Sequence, residues 1–109
     1  MPFPRNARTC EAVVMPSLQI DLEDGFSSDT VVVYANGREL WRQDDVTTNP
    51  AVSVAAIARV EVPEGARIEV HVPTRRLSAA SQAETPYLEV EIAGGGLFLR
   101  PSDELPLHL

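Results

Sequence analysis

Three stretches of the chain change polarity at every residue. They are Leu18-Gln19-Ile20-Asp21-Leu22-Glu23, Arg67-Ile68-Glu69-Val70-His71-Val72 and Leu88-Glu89-Val90-Glu91-Ile92, where Leu, Ile or Val alternates with a polar, mostly charged residue. Side chains that alternate between two faces belong to a β-strand, and this pattern gives each strand one dry face and one wet face. A helix built on the same residues would spread its apolar side chains around the axis, so the period argues against it.

The segment Thr30-Val31-Val32-Val33-Tyr34-Ala35 is apolar on both faces and rich in β-branched residues, which predicts a more buried strand. Asn36-Gly37 follows, the dipeptide that most readily supplies two positive φ angles. It predicts a tight type I′ hairpin into Arg38-Glu39-Leu40-Trp41-Arg42. Pro63-Glu64-Gly65-Ala66 is a second turn signal, between Ala58–Val62 and the strand at Arg67, and reads as a second hairpin. Gly94-Gly95-Gly96 is a third, before Leu97-Phe98-Leu99-Arg100. Between them, Thr47–Ile57 reads as one helical turn near Asn49-Pro50 and then strand from about Val54. Arg75–Pro86 has no clear period and reads as a loop that allows a short helical turn, and the chain from Pro101 onward reads as extended or frayed.

The expected fold is all-β: a single small antiparallel β-sandwich of seven to eight strands, with an immunoglobulin-like or a C2-like topology both open. A small β-barrel is the runner-up. The chain of 109 residues is one domain, 1–109, with 1–9 and 101–109 extended or frayed. No apolar run approaches the ~20 residues of a membrane-spanning helix. No signal-peptide pattern is seen either, and the single cysteine, Cys10, cannot form an internal disulfide, so a cytoplasmic location is expected. The net charge of −7 disfavours nonspecific binding to nucleic acid or acidic membranes. All nine basic residues are arginine, so chemistry that needs a lysine is absent.

Catalytic sets are sparse. The histidines are His71, mid-strand on a polar face, and His108, the penultimate residue; nothing in their spacing with Cys10 supports a dyad. Gly94-Gly95-Gly96 is followed by a strand and not by a helix with Lys, Ser or Thr, so it does not read as a phosphate loop. The acidic loops allow one alternative. If Asp24, Asp29, Asp44 and Asp45 lie at one end of the sandwich, their carboxylates suit calcium, which takes about six to eight oxygen ligands.

The order Ser28-Asp29-Thr30-Val31-Val32-Val33, Thr47-Thr48-Asn49-Pro50, Arg67–Val72 resembles that of C2 domains over about half the chain. That resemblance implies a β-sandwich of a kind that often binds calcium and lipid. After Val72, however, a calcium-binding C2 domain would carry aspartates, and this chain has Pro73-Thr74-Arg75-Arg76. No binding site is carried over from it.

Arg75 and Arg76, the one adjacent basic pair, are a candidate contact for an anion or carboxylate. If Leu40, Leu97 and Leu99 face the core, regular strands put Trp41 and Phe98 on outer faces, where large aromatics mark contact surfaces. These features predict a non-enzymatic module without a cofactor that works through a protein partner or self-association, by an edge strand or an aromatic face. Binding of calcium or a small ligand at the acidic loops is the alternative.

Overall fold

The computed structural model describes residues 17–105, which form eight strands. They are β1 (Ser17–Leu22), β2 (Asp29–Ala35), β3 (Arg38–Val46), β4 (Ala56–Glu61), β5 (Arg67–Val72), β6 (Leu77–Gln82), β7 (Tyr87–Ala93) and β8 (Gly96–Ser102). One short 3₁₀ turn, Pro73–Arg75, precedes β6. The strands form two four-stranded sheets, in the orders β4-β1-β7-β8 and β3-β2-β5-β6. The described residues leave both sheets with open edges, so the fold is a sandwich and not a closed barrel. The flanking segments expected to be extended or frayed lie largely outside the described residues. Inside them, β8 runs through Pro101 to Ser102.

The alternating segments place their apolar faces between the sheets. Leu18, Ile20 and Leu22 of β1 meet Ile68, Val70 and Val72 of β5 and Leu88, Val90 and Ile92 of β7 in one buried cluster. Val31 and Val33 join that cluster, while Val32 is equally buried on the opposite face of β2. Burying each such side chain contributes about 1.5–3 kcal/mol, which is what holds two short sheets together.

Two of the three turn signals form hairpins. Asn36 and Gly37 have φ of 51° and 83°, as a type I′ turn requires, and join β2 to β3. Asn36 also accepts a hydrogen bond on Oδ1 from the Arg67 N–H at 3.0 Å, which ties this hairpin to β5. We expect Asn36→Ala to cost about 1–2 kcal/mol in urea unfolding, from the lost hydrogen bond and the left-handed backbone together. Gly94 and Gly95 form the two-residue loop between β7 and β8, with φ of 57° and 80°.

The turn at Pro63–Ala66 is different. It carries the chain from β4 in one sheet to β5 in the other, so the expected second hairpin is a crossing between sheets. A turn signal reverses the chain locally but does not say which strand pairs with which. Likewise β1 and β7 pair in parallel, the only parallel pair among the described strands.

The expected loop over Arg75–Pro86 is corrected. Leu77–Gln82 forms β6, paired antiparallel with β5 along its whole length, from Val72↔Leu77 to Arg67↔Gln82. Its Ser and Ala residues carry little strand propensity; the open edge of β5 supplies the hydrogen bonds instead. The turn near Asn49 forms as expected, closed by Ser53 N–H to Asn49 O at 2.8 Å. The strand after it starts at Ala56, with Val54 bridging back to Asn49.

Candidate functional site

The end of the sandwich that holds the acidic loops is organised around Asp29. Its side chain is only 3% exposed. Arg75 donates through Nε to both carboxylate oxygens at 3.1 Å, and its Nη2 lies 3.0 Å from Oδ2. Thr74 Oγ1 donates to Oδ1 at 2.7 Å and the Ser27 N–H to Oδ2 at 2.8 Å. The 3₁₀ turn Pro73–Arg75 is what delivers Thr74 and Arg75 together. Burial pushes the Asp29 carboxyl up, but the hydrogen bonds from Arg75, Ser27 and Thr74 and the arginine charge outweigh it and hold the group below its ordinary range. Arg75 Nη2 also donates to Gly25 O at 2.8 Å, so one guanidinium closes the β1–β2 loop onto the β5–β6 connection.

This latch uses residues that the sequence offered for two other roles. Asp29 spends both oxygens on internal donors, and Arg75 is turned inward and not presented to an external anion. Asp44 accepts from Thr30 Oγ1 at 2.9 Å on the outer face of the β3-β2-β5-β6 sheet. Asp24 and Asp45 are exposed in separate segments, Asp45 at a left-handed position in β3 with φ of 58°. Among the described residues, no group of three or more His, Cys, Asp or Glu is placed to hold a metal ion.

Trp41 is corrected from an outer to an inner position. The β2–β3 register slips by one residue between Val33↔Trp41 and Tyr34↔Glu39, leaving Leu40 as the extra residue of a bulge. Trp41 therefore sits opposite core-facing Val33, and both Leu40 and Trp41 pack partly buried against the core. A second slip lies between Asp29↔Val46 and Val31↔Gln43. Phe98 lies on the outer face as expected, 56% exposed, while Leu97 and Leu99 pack inward.

His71 stands on the outer face of β5. Its Nε2 lies 3.0 Å from Glu69 Oε1, and its ring meets the Tyr34 ring edge-on at 4.8 Å between centroids. The hydrogen bonds from His71 and Arg67 hold the Glu69 carboxyl below its ordinary range. Cys10 and His108 lie outside the described residues.

A cleft of about 510 Å³ opens at the opposite end of the sandwich. Leu18, Val62, Ala83 and Pro86 line it, with Ser17, Glu64, Glu84 and Thr85 as its polar groups. Among the described residues that line the cleft two are carboxylates and none is a cation.

The sheet edges differ sharply in chemistry. An edge strand presents unpaired backbone donors and acceptors, and proteins blunt it with charge, proline or bulges. β3 has Arg38, Glu39, Arg42, Asp44 and Asp45 and both bulges. β4 has Arg59 and Glu61, and β8 has Arg100 and Pro101. β6, Leu77-Ser78-Ala79-Ala80-Ser81-Gln82, has no charge, no proline and no slip in its register. The segment shows no period, so its sequence does not mark it as a strand. The usable signal was its lack of charge all the way from Arg76 to Glu84.

A scan against protein-family models, a search of curated proteins and a search of solved structures each find no match to this chain.

Proposed function

We propose that the domain works by protein–protein contact and not by catalysis, and that the contact is made by adding a strand to the edge of β6, which lies near β8 but among the described residues has no hydrogen-bonded strand beyond β5. The observation that carries this reading is the contrast among edges. Three carry charge, with proline or bulges on two of them, and β6 carries none of these devices. An unblunted edge offers a ready template of backbone hydrogen bonds to an extended segment. The titratable groups support the same reading. Arg75 and Asp29 neutralise one another, and His71 lies with Glu69 on a sheet face and not in a cleft.

The test is a double charge insertion, Ser78→Lys with Ala80→Lys. Both positions are exposed, and Ala80 lies directly opposite Glu69 on β5, so the fold tolerates the change. Complexes captured from the native host on the tagged wild-type domain should be lost with the double variant and retained with Phe98→Ser. Complexes that survive the lysines and disappear with Phe98→Ser would move the contact to the aromatic face and end the β6 reading. So would complexes indifferent to both changes.

A further inference from the structure

The β6 edge has opposite charges beyond its two ends. At its start stands Arg76, which makes no side-chain hydrogen bond or ion pair among the described residues. Its neighbour Arg75 is already consumed by Asp29. Just past its end stands Glu84, and among the described residues it too has no side-chain partner and shares its cleft with a second carboxylate, Glu64, and with no cation. Six uncharged residues of the strand separate the two ends, with Ala83 after them.

An edge that is basic at one end, neutral in the middle and acidic at the other is complementary to itself when run antiparallel. We infer that the strand added to β6 is β6 of a second copy, so that two β3-β2-β5-β6 sheets join about a two-fold axis into one continuous sheet. This rests on the reading of β6 as a docking edge and names its occupant.

Register follows from the pleat. A two-fold axis perpendicular to a sheet keeps inward residues beside inward residues, so each residue pairs with one of the same parity. With the axis at Ala80, Ser78 faces Gln82 of the second copy and Ala79 faces its Ser81. The same register brings Arg76, a left-handed residue that closes the 3₁₀ turn, to the end of the pairing where Glu84 of the second copy follows its strand, and by symmetry does so twice. With the axis at Ala79 instead, Arg76 would face Gln82 and the acidic cleft would stay uncompensated. No like charges oppose one another in the Ala80 register. A self-pair of β3 about Arg42 would set two arginines together, and Pro101 interrupts the edge of β8. The shared strand is short, so the dimer should be concentration-dependent.

The test is light scattering with size exclusion over a wide concentration range, on wild type and four variants. Wild type should rise from the chain mass toward twice that mass. Ala80→Lys, which sets two lysines at the axis, should stay at the chain mass with an unchanged circular-dichroism spectrum. Arg76→Glu and Glu84→Arg should each weaken association at least about tenfold, because each sets like charges together twice, and the double swap Arg76→Glu with Glu84→Arg should return it to within about threefold of wild type. A wild type that stays monomeric at every concentration, or single reversals without effect, would overturn the dimer. Failure of the dimer alone leaves the docking edge standing if host complexes still depend on Ser78 and Ala80. Loss of that dependence too removes both.

Discussion

Gly25→Ala is expected to abolish folding or to leave a domain too unstable for a cooperative thermal transition. Gly25 sits in the β1–β2 loop with φ of 96°, a backbone conformation that L side chains rarely adopt. A Cβ at this position would lie 2.0 Å from the Ile92 carbonyl oxygen and 2.8 Å from its carbonyl carbon. Those are backbone atoms of β7, a strand fixed on one side by β1 and on the other by β8. The loop cannot simply swing away. The Asp24 carbonyl accepts from the Ile92 N–H at 2.9 Å, and the Gly25 carbonyl accepts from Arg75. The left-handed backbone alone costs about 1–2 kcal/mol in a non-glycine residue. The overlap adds more, and a domain of this size has only about 5–15 kcal/mol in hand. Differential scanning calorimetry reads the outcome directly. A Gly25→Ala domain that melts within a few degrees of wild type would show that the close approach to β7 is not required. Gly37→Ala is the control, since an added Cβ there meets nothing within 4 Å. It should lose only the turn term.

The second large effect is expected at Asp29. Removing the carboxylate with Asp29→Ala strands the Arg75 guanidinium, Thr74 Oγ1 and the Ser27 N–H at once. Breaking a fully buried ion pair costs about 3–5 kcal/mol, but Arg75 is 35% exposed and water recovers part of that. An expected loss of about 2–3 kcal/mol lowers the melting temperature by roughly 10–20 °C in a domain of this size. The pH dependence has a definite sign. The folded Asp29 carboxyl titrates below its unfolded value, near 3.9, so its contribution is complete above that pH and is lost as the pH falls through the lower, folded value. Asp29→Asn should therefore lose stability at neutral pH and show a shallower decline in acid than wild type. Parallel acid-unfolding curves for the two proteins would remove the charge from the account of this latch. Arg75→Ala should destabilise through the same contact, and it should free the β1–β2 loop from the β5–β6 connection as well.

The parts of this fold that were legible share one property: they are local. Asn36-Gly37 dictates its own backbone angles, and the alternation in β1, β5 and β7 dictates which side of each strand is dry. The Asp29 latch could not be read in this way, because its members lie more than forty residues apart and Pro73–Arg75 must fold as a turn before they meet. The inward position of Trp41 departs from regular alternation for a related reason. A bulge at Leu40 shifts the side chains from Trp41 to Gln43 by one position, and no residue type announces it. β6 was hidden because alanine and serine are compatible with a loop, a helix or a strand. Only the open edge of β5 made it extended.

Alternation of polarity, a few turn dipeptides and the absence of a long apolar run determined, from the chain alone, a small all-β domain with one buried face for each alternating strand. The pairing of strands was decided only when the sheets came together. That includes the parallel union of β1 and β7, the crossing at Pro63–Ala66, the inward Trp41 and the bare edge of β6. The physical reason is that a strand's pattern says which face must leave water, whereas hydrogen bonding to a neighbour is open to any strand whose edge is free. Which neighbour is chosen depends on the packing of the whole core.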